Sequence, residues 1–160
     1  MKPLFAVVDL GTNSFHLMIM QQNGDQIEVV DRYYEQVQMG YGIDDSGRLD
    51  EVTKKRVLNA LEEIRSVMDR YELAGGRALG TMVFRSLNEP LFMEDAESLL
   101  GLQIELISGQ EEAELVHRGV TFGEQLSTLE NEVIFDIGGG SSELILGERG
   151  VIRAAISLDL

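Results

Sequence analysis

Asp9-Leu10-Gly11-Thr12-Asn13-Ser14-Phe15-His16-Leu17 and Asp136-Ile137-Gly138-Gly139-Gly140-Ser141-Ser142-Glu143-Leu144 spell one pattern, D-[LI]-G-x-x-S-x-x-L, set 127 residues apart (136 − 9). An apolar run leads into each copy, at 4–8 and 133–135, and β-prone residues follow each. Both therefore read as strand, tight glycine turn, strand. An Asp at the end of a buried strand, followed at once by Gly, sets a carboxylate where the backbone lies bare. Glycines there let N–H groups approach a phosphate closely, and the carboxylate can hold a divalent cation or its waters. One such turn is an ordinary hairpin feature. Two matching copies predict a repeated subdomain whose paired loops grip a phosphate chain. The candidates are Gly11, Thr12, Asn13 and Ser14 in one loop, and Gly138, Gly139, Gly140 and Ser141 in the other. Asn13 and Ser14 are also common turn residues, and His16 on the following strand reads as a structural histidine.

Outward from the first loop, Asn23-Gly24 signals a hairpin into a third strand over 26–38. A helix is predicted over 50–72, with Val57, Leu61, Ile64, Met68 and Tyr71 as one apolar stripe. Asp50 or Ser46 caps it, and Gly75-Gly76 stop it. A strand over 77–83, a helix over 90–100 with Asn88 as cap and Gly101 as stop, a strand over 103–107 and a helix over 111–120 complete the order βββαβαβα. Strands alternating with helices imply a mixed α/β sheet with helices on its faces. The second copy then begins, with strands over 133–137, 143–146 and 151–157. The expected domains are a first subdomain over 1–124 and the start of a second, truncated one over 131–160.

Composition narrows the function. Thirteen basic against 28 acidic residues in 160 give a net charge of −15. A chain this acidic has no general field to attract nucleic acid, anionic lipid or a bare polyphosphate. An anionic ligand must be held by backbone N–H groups, a few placed arginines or a cation. No run approaches the roughly 20 apolar residues of a membrane-spanning helix. The absence of cysteine excludes disulfides and thiolate metal sites and fits a reducing cytoplasm.

With these loops go Ile107-Ser108-Gly109-Gln110-Glu111-Glu112-Ala113, an I-S-G-x-E-E-A segment, and a T-x-x-x-R run from Thr81 to Arg85. The combination resembles the exopolyphosphatase/guanosine pentaphosphate phosphohydrolase (Ppx/GppA) family across essentially the whole chain. The resemblance implies the actin-like ATPase superfamily fold, two ribonuclease-H-like subdomains with a phosphate cleft between them. It implies hydrolysis of a terminal phosphoanhydride of inorganic polyphosphate or guanosine pentaphosphate, with Mg²⁺ or another divalent cation, and a homodimer at full length in the bacterial cytoplasm. Residue by residue, Glu112 matches the family's catalytic base, Arg85 its substrate-contacting arginine, and Asp136 with Glu143 its metal-binding carboxylates, Asp9 being the equivalent acid in the first loop. Local physics separates the two neighbouring acids. Ser108-x-x-Glu111 is a capping box, which occupies Glu111 at the helix entrance and leaves Glu112 for other work.

Departures from the family pattern are Ser142 in place of the usual Thr, Thr12 in place of a frequent Ser, and length. Family members continue through the rest of the second subdomain, so the chain reads as a fragment with little or no hydrolysis alone. Two rivals remain: an ATP-dependent kinase of the same superfamily, and a non-catalytic polyphosphate or alarmone sensor. The first does not usually carry I-S-G-x-E-E-A, and the second has no use for a general base.

Overall fold

Along β1 (Leu4–Leu10), Ala6, Val8 and Leu10 are buried on one face. The chain turns back through β2 (Ser14–Asn23) and again through β3 (Gln26–Gln36), both pairings antiparallel. On the other edge of β1, β4 (Leu73–Gly80) and β5 (Ile104–Leu106) add in parallel, giving the order β3-β2-β1-β4-β5. Parallel neighbours need a crossover, and α1 (Glu51–Met68) and α3 (Pro90–Leu100) supply the two. Their apolar faces (Val57, Leu61 and Ile64 from one, Phe92, Ala96 and Leu100 from the other) join Val8, Leu10, Phe15, Leu17 and Ile19 in one core. The structure is a computed structural model and describes residues 2–24, 26–122 and 130–160. No helix among them is long and apolar enough to cross a membrane.

Three local expectations change. Gly75 and Gly76 do not stop the helix; they lie inside β4, paired with Phe5 and Ala6 of β1. A Cβ on Gly76 would meet the Ala6 carbonyl oxygen at 3.3 Å, so close strand approach explains the glycine better than a helix stop does. The helix has already ended at Met68, and Tyr71, beyond it, packs against the core and donates its hydroxyl to Asp31 at 2.8 Å. Residues 81–83 leave the sheet, because α2 (Met82–Ser86), a single turn, begins directly after β4. Asn88 caps nothing: its N–H goes to the Gly47 carbonyl at 2.8 Å, while Glu89 stands at the head of α3 and accepts from the Leu49 N–H at 2.6 Å. Asp50 caps α1, as expected, accepting from the Thr53 N–H at 2.7 Å.

A second compact unit, Ile107–Leu160, follows the first, Met1–Leu106. It contains α4 (Gly109–Thr121), β6 (Glu132–Ile137), β7 (Ser141–Glu148) and β8 (Val151–Asp159), the strands antiparallel in the order β6-β7-β8. The sequence reading grouped α4 with the first subdomain; here it packs on β7 and β8 and so sides with the second unit. His117 of α4 and Glu132 of β6 join Nε2 to Oε1 at 2.7 Å, each side chain only 5% exposed. Gly147, register partner of Glu132, makes room, since any Cβ there would collide with the Glu132 carboxylate.

The repeated hairpins are covered on opposite faces. In the first unit, the side of β1 and β2 opposite Asp9 faces the core. The matching side of β6 and β7 carries Val133, Phe135, Ile137, Leu144 and Leu146, and it is open: Phe135 is 68% and Ile137 78% exposed. Ile156 of β8 extends it beside Leu144. A contiguous apolar sheet face of this kind recruits apolar ligands. The chain should bind an environment-sensitive dye such as ANS, and Phe135→Lys should remove most of that fluorescence. Undiminished fluorescence would place the dye elsewhere.

Candidate active site

The first loop is built by backbone hydrogen bonds. Asp9 pairs with His16 and Leu10 with Phe15, and the Gly11 N–H closes the turn onto the Ser14 carbonyl at 3.1 Å. The strap after β3 then crosses the tip. Val37 and Gln38 both donate to the Asn13 carbonyl, at 3.0 and 2.9 Å, and Met39 donates to the Thr12 carbonyl at 2.8 Å. To do so Gln38 takes a left-handed backbone (φ 51°, ψ 49°), uncommon for a side chain of its kind. Thr12 is buried under the strap; Asn13 and Ser14 are half-buried; Asp9 and His16 face outward. The Ser14 hydroxyl and His16 Nε2 lie 3.0 Å apart, and the His16 ring stands edge-on to Tyr34 at 4.9 Å.

Arg85 comes to the same end of the sheet by a route different from the expected one. Thr81 donates its N–H to the Leu10 carbonyl at 3.3 Å, next to Gly11, and Arg85 follows on the single turn of α2, its N–H on the Thr81 carbonyl at 3.2 Å. A one-turn helix, rather than a strand end, therefore carries the half-buried arginine. The first loop, the strap and the Thr81–Arg85 turn thus gather at the carboxyl ends of β1 and β4, where open α/β sheets bind their ligands.

The second loop repeats the construction. Gly138 donates to the Ser141 carbonyl at 2.9 Å, and Asp136 pairs with Glu143 in the register of Asp9 with His16. Leu160 donates to the Gly140 carbonyl at 2.8 Å, as Val37 does to Asn13, which holds the same place in the repeat. A Cβ on Gly11 or Gly138 would sit 3.1 or 2.9 Å from the carbonyl oxygen its own N–H bonds, so both tight turns favour glycine, Gly138 the more strongly. Gly138 and Gly139 are exposed, whereas Gly140 and Ser141 are buried.

Within this second unit Glu143 lies beside the start of α4, by way of Ser157. Asp136 is half-buried; Glu143, directly opposite on β7, is 2% exposed and accepts from the Ser157 hydroxyl at 2.8 Å. Gly109, first residue of α4, lies against that hydroxyl, where a Cβ would come within 2.5 Å. The capping box is present: Ser108 Oγ accepts from the Glu111 N–H, and the Glu111 carboxylate accepts from the Ser108 N–H at 2.8 Å. Glu112, one position on, is half-buried with its Oε2 out of solvent.

The Ser108 N–H and hydroxyl hold the Glu111 carboxyl below its ordinary range, and the Thr53 N–H does the same for Asp50. For a depressed carboxyl the stabilisation is present above the unfolded-state pKa and is lost as pH falls through the folded one. Both helix starts should therefore loosen in acid, below about pH 4. Amide exchange at Thr53 and Glu111 across pH 6 to 3 measures this; protection that stays constant would refute it.

Asp136 and Glu143 offer hard oxygen donors from adjacent strands. No group of three His, Cys, Asp or Glu placed to hold an ion occurs among the described residues. Two carboxylates suit a cation such as Mg²⁺, which keeps several waters and takes the rest of its shell from substrate phosphates. The sequence reading missed the strap and the arginine behind it, Arg56. Neither has a motif, since the strap works through backbone groups and one left-handed residue.

The chain is similar to both curated and solved proteins. A guanosine-5'-triphosphate,3'-diphosphate pyrophosphatase of Aeromonas hydrophila is 32% identical over 99% of the chain, which spans 32% of that relative's length. Among solved structures, an exopolyphosphatase-like protein superposes with a TM-score of 0.90 at 28% identity, over 99% of this chain and 51% of that one. An exopolyphosphatase from Cytophaga hutchinsonii gives 0.86 at 30% identity, over 98% and 50%. The fold alone extends to a Bacteroides thetaiotaomicron protein with the actin-like ATPase fold, at 0.53 and 12% identity. The sequence profile of the Ppx/GppA phosphatase family covers residues 18–160, including the second loop, the Thr81–Arg85 turn and the Glu111-Glu112 pair, and the chain belongs to that family.

Proposed function

We propose that this chain carries the phosphate-gripping and water-activating residues of a hydrolase that releases the terminal phosphate of guanosine pentaphosphate or inorganic polyphosphate. The observation that carries the reading is the identity of the two loops: the same Gly N–H to Ser carbonyl closure at 3.1 and 2.9 Å, in the same strand register. A turn built twice to one plan, with bare backbone at each tip, suits a ligand that is itself a repeating anion.

In this reading Glu112 accepts a proton from water, whose oxygen attacks the terminal phosphorus. The bridging P–O bond breaks in line, and the shortened chain leaves as an oxyanion. Loop N–H groups and the Arg85 guanidinium stabilise the charge that develops on the phosphoryl oxygens. Asp136 and Glu143 would hold a divalent cation, which neutralises phosphate charge when bound. The homodimer and the cytoplasmic setting belong to the same proposal. Phosphate-release assays with guanosine pentaphosphate and with tripolyphosphate, on a protein of its relatives' full length, test it. Release that depends on Glu112 supports the hydrolase, whereas tight binding of guanosine tetraphosphate with no turnover of either substrate would support the sensor instead.

A further inference from the structure

The geometry points to Arg56 as a positioning residue for the first loop, an inference that rests on the phosphate-binding reading above. Arg56 lies on the second turn of α1, and its guanidinium donates from Nε to the Val37 carbonyl and from Nη2 to the Gln38 carbonyl at 3.2 Å. The same Nη2 reaches the buried Thr53 hydroxyl at 3.1 Å. These are the carbonyls of the two residues whose N–H groups converge on Asn13. One planar fork therefore holds the strap from behind while the strap holds the loop from in front.

Left-handed backbone in a residue such as Gln38 is strained and persists where surrounding groups over-determine it. Arg56 is one such group, beside the Asn13 carbonyl that takes the Gln38 N–H and the Tyr41 N–H that reaches the Gln38 carbonyl at 3.3 Å. Were the strap to relax to an extended course, the Asn13 carbonyl would lose both donors and the Thr12 carbonyl its one. The tip would then keep only its own Gly11–Ser14 closure. A loop that offers backbone N–H groups to phosphate works only if those groups are already aimed, so Arg56 acts on the ligand through Thr12 and Asn13 without touching it.

Two variants test the assignment. Arg56→Met keeps most of the side-chain length without the donors, and Arg56→Lys keeps one donor. Amide exchange is read at Val37, Gln38 and Met39, with Leu61 and Ile64 deeper in α1 as internal controls, and tripolyphosphate is titrated against the amide shifts of Gly11 to Ser14. Arg56→Met should speed strap exchange and weaken tripolyphosphate affinity, each by about tenfold, with the controls unchanged; Arg56→Lys should fall between it and the wild type. Unchanged strap protection overturns the assignment, as does lost protection with unaltered affinity, or an equal loss at the control amides. A wild-type chain whose loop amides do not respond to tripolyphosphate would instead defeat the phosphate reading itself, and strap exchange would still report on the clamp.

Discussion

In a protein of its relatives' full length, replacing Glu112 by Gln should slow terminal-phosphate release by about 10²- to 10⁴-fold, the usual contribution of a general base. The neutral amide is nearly the same size, so the fold and tripolyphosphate binding should survive. The comparison that gives the experiment its force is the neighbouring residue. Glu111 is held by Ser108 at the entrance of α4, and a Gln there can still accept from the Ser108 N–H. Glu111→Gln should therefore change turnover by less than about threefold, as a lost capping contribution of some tenths of a kcal/mol would. Equal losses at both positions would show that α4, rather than one carboxylate, was being tested. Turnover of Glu112→Gln close to wild type would remove Glu112 from the mechanism.

The second large effect concerns stability. Glu132→Ala should destabilise the Ile107–Leu160 unit by about 3 kcal/mol, because it leaves the buried His117 without the partner it meets at 2.7 Å. Gly147→Ala should act in the same direction by driving the Glu132 carboxylate out of its place. Replacing both members of the pair by leucine should recover most of the loss, since paired apolar groups of similar volume carry no desolvation cost. Urea titration with amide exchange followed on β6 and β7 gives the comparison, and the β1–β5 sheet serves as the control. A Glu132→Ala chain as stable as wild type would mean that solvent or a rearranged neighbour satisfies His117.

The chain itself makes much of this legible. The doubled D-[LI]-G-x-x-S announces two equivalent hairpins, and their closures and registers match as read. The stripe on α1 and the Asp50 and Ser108 caps were visible because they depend on spacings of three and four residues. Gly75-Gly76 misled because a glycine pair can end a helix or let two strands approach, and the partner, β1, lies about 70 residues earlier (75 − 5). The turn carrying Arg85 was misplaced for a related reason, since the rung that ends β4 is a bond from Thr81 to Leu10.

Local pattern by itself determined the strand-turn-strand units, the glycine at each tip, and the capping role of Glu111 at a helix start. These are short-range matters, settled by close contacts within each turn and by neighbours a turn away. Which face of each hairpin is covered was decided only by tertiary structure. Runs as apolar as 4–8 and 133–137 can bury either side, and α1 with α3 takes one in the first unit while α4 takes the other in the second. The strap and Arg56 belong to the same category: the left-handed Gln38 is held by the Asn13 carbonyl and by a guanidinium 18 residues further along the chain, contacts that only the fold brings together.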